Sequence, residues 1–128
     1  MTGYETPRKM IGASARHGAK TWKAERITSV LLVPLTLWAV WAAWTLAGTG
    51  MDGAAAFVRQ PLNAGLLLLT IAITLWHMVL GMQVVIEDYL HGAMGTLALR
   101  LNTLIGWLLF FVSAACLVAA VAGIELGA

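Results

Sequence analysis

Leu62-Asn63-Ala64-Gly65-Leu66-Leu67-Leu68-Leu69-Thr70-Ile71-Ala72-Ile73-Thr74-Leu75-Trp76-His77-Met78-Val79-Leu80-Gly81-Met82-Gln83-Val84-Val85-Ile86 runs without one Asp, Glu, Lys or Arg and then meets Glu87-Asp88-Tyr89. At ~1.5 Å per helical residue, a run of this length crosses a hydrocarbon layer of ~30 Å. It either tilts or seats its first turn in the headgroup layer. The run holds one imidazole, His77. Ionisable side chains inside a membrane are costly, and they are kept to bind something or to move charge.

The rest of the chain belongs to the same class. Of 128 residues 60% are hydrophobic, and only 8 basic and 6 acidic side chains are present. Ordinary soluble domains are about 45–50% apolar. Two further apolar runs, residues 27–47 and 101–122, are each about long enough to span. The expected fold is an all-α membrane protein: a basic tail at 1–26, then one domain at 27–128 with three transmembrane helices near 27–47, 62–86 and 101–122. No internal repeat or low-complexity segment stands out.

Basic residues set the orientation. Arg8, Lys9, Arg16, Lys20, Lys23 and Arg26 precede the first run against Glu5 and Glu25; Arg59 lies between the first two runs and Arg100 between the last two. Positive residues stay on the side of synthesis. The N-terminus and second loop are therefore expected on the cytoplasmic side, with the first loop and the C-terminus periplasmic. The tail lacks the apolar core of a secretory signal. It reads as a solvated orientation signal, or as a dock for an acidic soluble partner. Cys116 stands alone in the third run, so it reads as a packed membrane cysteine.

Trp38, Trp41 and Trp44 recur at every third residue towards one end of the first run, and Trp22 marks its other approach. That is the aromatic belt of a membrane interface. Pro34 inside the run removes a backbone bond. Ala115, Ala119 and Gly123, spaced by four, predict a close-packed face within the protein or against a partner. Three helices alone bury little, which favours a partner.

Residues four apart share a helix face, so His77 looks the same way as Gly81, with Thr74 and Thr70 before it. Gly81 leaves room beside the imidazole for a flat, bulky ligand. Asp88 returns to nearly the same face, eleven residues being about three turns. At ~1.5 Å per residue, His77 lies about 15 Å from the Glu87 end, near mid-membrane. Two readings of the residues stand side by side. One is a structural histidine bonded to a neighbouring helix, with Asp88-Tyr89 as an interfacial pair; the other is axial ligation of haem iron by His77. Metal clusters fit poorly, since no second His, Cys or carboxylate lies within a turn of His77. His17 and His91 fall in polar segments and read as surface residues, and Glu87 as a solvated helix-end acid.

The string His77-x3-Gly81-x5-Glu87-Asp88-Tyr89-x-His91 resembles the second helix of the small hydrophobic membrane-anchor proteins of succinate dehydrogenase, respiratory complex II. Trp22-Lys23-Ala24-Glu25-Arg26-Ile27-Thr28-Ser29-Val30 with Pro34-Leu35 is similar to the same family, especially its alphaproteobacterial branch. The resemblance covers roughly residues 12–100; the third run is generic apolar sequence.

The resemblance implies a role in electron transport and the tricarboxylic acid cycle, in the bacterial inner membrane. His77 falls where the family supplies one of two axial ligands to a b-type haem, the other coming from a second membrane anchor of the cytochrome b556 type. Arg26 falls at the family's basic residue near the haem propionates. Tyr89 falls at its ubiquinone-bonding tyrosine, and Asp88 beside the proton supply of the quinone site. The remaining partners implied are a flavoprotein subunit and an iron–sulfur subunit; no nucleic acid is expected. Two departures stand out: Lys20 or Thr21 occupies a position where relatives often carry a histidine, leaving His17 without an assigned role, and Glu25 stands where they often have glutamine. No Rossmann fingerprint, cysteine cluster or acid–base dyad is present, so the chain is not catalytic on its own. Three other readings remain: a purely structural subunit of another respiratory complex, a fumarate reductase anchor, and a small proton-coupled transporter using His77 and Asp88.

Overall fold

The computed structural model describes residues 8–123, with side chains from residue 18 onwards; His17 therefore lies outside the described side chains, and Glu5 outside the described residues. Four helices are present: α1 (Arg8–Leu46), α2 (Gly50–Arg59), α3 (Pro61–Tyr89) and α4 (Gly92–Ala122). Three stretches are long and apolar enough to cross a membrane, Gly18–Leu46, Pro61–Tyr89 and Gly92–Ala122.

Helix ends differ from the apolar runs because hydropathy marks a membrane and not a helix. The α1 backbone is already helical from Arg8, through a stretch rich in Ala and Lys, both strong helix formers. Pro61 opens α3 at a position whose N–H would have no partner anyway. The expected loop between the second and third spans shrinks to Leu90 and His91, both extended. Gly92 takes φ +65°, and a β-carbon at Gly95 would lie 2.7 Å from the Leu90 carbonyl oxygen. These two glycines let α4 fold straight back onto α3. Arg100, expected in a loop, consequently sits on α4 and is exposed.

The long helices stand in a row. α3 packs against both α1 and α4, while α1 and α4 share no contact. Along α1 the shielded positions include Thr21, Glu25, Thr28, Leu32, Leu35, Ala39, Ala42 and Leu46, with Ala24 and Trp38 beside them. Their spacing of alternating three and four is the seam of two helices packed side by side. With both faces of the row open, the accessible surface is 9894 Å²; a compact soluble monomer of 13.7 kDa exposes roughly 6,600 Å².

A few specific contacts fix the row. Asn102 on α4 donates through Nδ2 to the Val79 carbonyl of α3 at 2.9 Å. One helical turn further, the Val79 side chain lies so close over Gly106 that a β-carbon there would collide with it. The α2 helix falls within the expected first loop and closes one end of the row, packing on α3 and α4. Its Phe57 stacks on Trp38 with ring centroids 6.2 Å apart, whereas Trp41 and Trp44 are exposed. Arg59 at the end of α2 lies against Gly123, where its charge suits the carbonyl end of α4. Of the small-residue series, Ala119 is buried and Gly123 meets Arg59, while Ala115 stays exposed. The close-packed end of that series is therefore used inside the protein.

Gly106→Leu should force α3 and α4 apart, costing about 1–3 kcal/mol for overpacking. Asn102→Ala should cost less, about 0.6 kcal/mol and at most ~1.7. Gly65→Ala, which meets nothing within 4 Å, should be neutral or stabilising. Thermal unfolding in mild detergent ranks the three.

Candidate functional site

The deepest side chain in the structure is a polar one. Thr28 of α1 is 0% exposed, the sole residue among those described below 2%. Its Oγ1 lies 2.8 Å from His77 Nδ1 on α3, 2.9 Å from the Ala24 carbonyl oxygen and 3.0 Å from that of Glu25. The bond crosses between the two helices at the middle of α3, the central helix of the row. His77 itself is half-buried.

One turn nearer the Tyr89 end, Gly81 faces α1. A β-carbon at Gly81 would meet only Glu25 Oε1, at 3.8 Å. There is room for a β-carbon at this position, bordered by a carboxylate. Glu25 shares its face with Thr28, being three residues away. Arg26 is two residues from Thr28 and so points about 200° around the helix. Its guanidinium carbon lies 5.3 Å from the centroid of the Trp22 ring, a cation–π pair on the exposed side of α1.

At the end of α3, Gln83 donates to Glu87 Oε1 at 2.9 Å. Asp88 and Tyr89 are exposed, Tyr89 at 80%. His91 sits exposed at the start of α4 and makes no side-chain cap. Thr74 is exposed, and Thr70 bonds back to the Leu66 carbonyl, so neither joins His77. Among the described residues no three His, Cys, Asp or Glu side chains gather as a metal site. Cys116 is free and exposed. An apolar groove of about 440 Å³ between α3 and α4, lined by residues including Trp76, Val79, Thr103, Gly106 and Trp107, contains no titratable side chain.

The structure thus joins His77 to Thr28 and Gly81 to Glu25, and leaves Arg26, Asp88 and Tyr89 on the surface. Thr28 is the functional candidate that the sequence reading passed over. Threonines are common in apolar helices, but the heptad spacing Thr28, Leu35, Ala42 held the signal, since all three are buried.

Three long apolar helices in a row, with an imidazole held at mid-length and an acid–tyrosine end, define a small multi-pass membrane protein. Residues 5–121 match the family model described as "Succinate dehydrogenase/Fumarate reductase transmembrane subunit", and the chain belongs to that family. It is similar to the succinate dehydrogenase hydrophobic membrane anchor subunits of Rickettsia typhi, 35% identical over 62% of this chain and 63% of that one, and of Rickettsia bellii, 39% identical over 60% and 62%. A succinate dehydrogenase membrane anchor subunit of Reclinomonas americana is 29% identical over 60% of this chain and 67% of the relative. The matched segment thus spans about three fifths of the length of the rickettsial relatives. No solved structure gives a significant match.

Gly81→Ala puts its β-carbon in ordinary contact and should be neutral or stabilise α3 by up to ~1 kcal/mol. Gly81→Leu should displace Glu25 and lower the unfolding temperature in detergent.

Proposed function

We propose that this chain is a membrane anchor of a succinate:ubiquinone oxidoreductase in a bacterial inner membrane, with its N-terminus cytoplasmic and its C-terminus periplasmic. It docks a flavoprotein and an iron–sulfur protein and pairs with a second membrane anchor. The observation that carries the reading is the match of residues 5–121 to the family model; the His77–Thr28 bond is compatible with it. That bond holds one ring nitrogen and leaves the other, Nε2, to serve a ligand beside Gly81. Histidine ligands in metal sites are oriented in this way.

The residues fit one axial position of a b-type haem. His77 would hold the iron, and the second ligand comes from the partner anchor. When bound, haem supplies one-electron storage near the quinone. Arg26 would complement a propionate only by leaving the Trp22 ring and swinging round α1 towards the His77 side. Glu25, on the His77 face, disfavours anionic groups along the direct approach. The exposed Tyr89 phenol donates to a quinone carbonyl that gains negative charge as it is reduced. Asp88, its exposed neighbour, passes protons in from the cytoplasm.

Succinate oxidation is preferred over the fumarate-reducing direction because the three relatives named above are all succinate dehydrogenase anchors.

Affinity purification from native membranes should recover a flavoprotein, an iron–sulfur protein and a second small anchor; recovery of the chain alone would break the assignment. In that complex His77→Ala should strip or spectrally alter the haem, and an unaltered haem band would rule out ligation. Tyr89→Phe should lower succinate–quinone turnover by about tenfold to a hundredfold, the loss expected for one donor to a developing charge being somewhat below that of an oxyanion-hole group. Its exposure means that assembly and haem should survive; unchanged turnover would remove Tyr89 from the quinone site.

A further inference from the structure

A buried hydroxyl at 2.8–3.0 Å from three heavy atoms has one proton to give. Two of the neighbours, the Ala24 and Glu25 carbonyl oxygens, can only accept. The third, Nδ1 of His77, accepts or donates according to tautomer. If Thr28 gave its proton to Nδ1, both carbonyl oxygens would face hydroxyl lone pairs at 2.9 and 3.0 Å with no hydrogen between. Thr28 is fully enclosed, so no water relieves that contact. The opposite assignment satisfies the cluster: the hydroxyl donates to its own helix and accepts from an Nδ1–H.

We propose that Thr28 is a positioning residue that holds His77 in its Nδ1–H tautomer and, as the acceptor of that proton, sets the electron-donating strength of Nε2. The inference rests on the reading of His77 as a haem ligand and extends it to a residue on a different helix. An imidazole whose N–H is bonded to an acceptor is a more basic ligand. A more basic axial ligand favours ferric over ferrous iron and lowers the haem potential, one of the protein's levers on such a centre. The bond spans α1 and α3, so this tuning depends on the two helices staying in register.

The test is a redox titration of the haem in the purified complex, following its absorbance, in four forms: native, Thr28→Ser, Thr28→Cys and Thr28→Val. Valine keeps the shape and removes the acceptor, cysteine weakens it, and serine retains it. The ferrous-to-ferric ratio at fixed potential should rise by up to about tenfold in Thr28→Val, 59 mV for a one-electron couple. Thr28→Cys should fall between, and Thr28→Ser should match the native complex. If Thr28→Val assembles without haem, the serine and cysteine forms decide by the same order. Equal potentials in all haem-bearing forms would overturn the proposal while leaving His77 as ligand. Full, spectrally unchanged haem in His77→Ala would instead overturn the ligand reading beneath it.

Discussion

The hydrogen bond between Thr28 Oγ1 and His77 Nδ1 is the constraint on which the polar half of this structure turns. In water such a bond contributes modestly, because both groups have solvent as an alternative. Between two apolar helices each group lacks that alternative, and an unpaired partner is expensive. The bond therefore specifies more than it stabilises. It fixes the rotation of α1 about its axis, since only one face carries Thr28. It also fixes the register of α1 along α3, since the hydroxyl must sit level with the imidazole. Glu25 is brought to Gly81, and Arg26 is turned away, by the same two settings.

The opposite side of α3 obeys a different rule. There Asn102 reaches a backbone carbonyl and Val79 rests over Gly106, so α4 is placed by close approach and one amide. In a membrane, helices gain little from burying apolar surface against one another, and packing with a few hydrogen bonds decides which faces meet. The central helix thus presents chemistry to α1 and shape to α4. The aromatic groove of Trp76 and Trp107 lies on the α4 side, apart from the titratable groups.

Much of this was legible in the sequence. Three spans, the mid-membrane position of His77 and its shared face with Gly81 follow from hydropathy and the helical repeat. The α2 helix was not legible, because Gly50-Met51-Asp52-Gly53 reads as a loop and its helix is supported by Phe57 stacking on Trp38. The tight Leu90-His91 connection escaped for a related reason: Arg100 interrupts the apolar sequence and separates residues 92–99 from the third run, and only the backbone shows that they are helical. Thr28 escaped because a hydroxyl gives no hydropathy signal, and its meaning comes from what stands opposite on another helix. Arg26 illustrates the converse. Position in the sequence puts it beside Glu25, but one step along a helix is ~100° of rotation, and the two charges serve different faces.

A row of helices also differs from a closed bundle in what it asks of its surroundings. A closed three-helix bundle shields a common centre, whereas here α1 and α4 never meet and α3 is covered on two sides only. The aliphatic part of the open surface is content in lipid. The half-buried imidazole and the Glu25 carboxylate are not, because hydrocarbon offers them no partner. Both stand at the junction of α1 and α3. In the proposed complex, the neighbour that covers that junction supplies polar or metal-bearing chemistry at the level of His77, which lipid tails cannot do. That demand favours a protein neighbour carrying a shared group over a lipid-facing role for this part of the row.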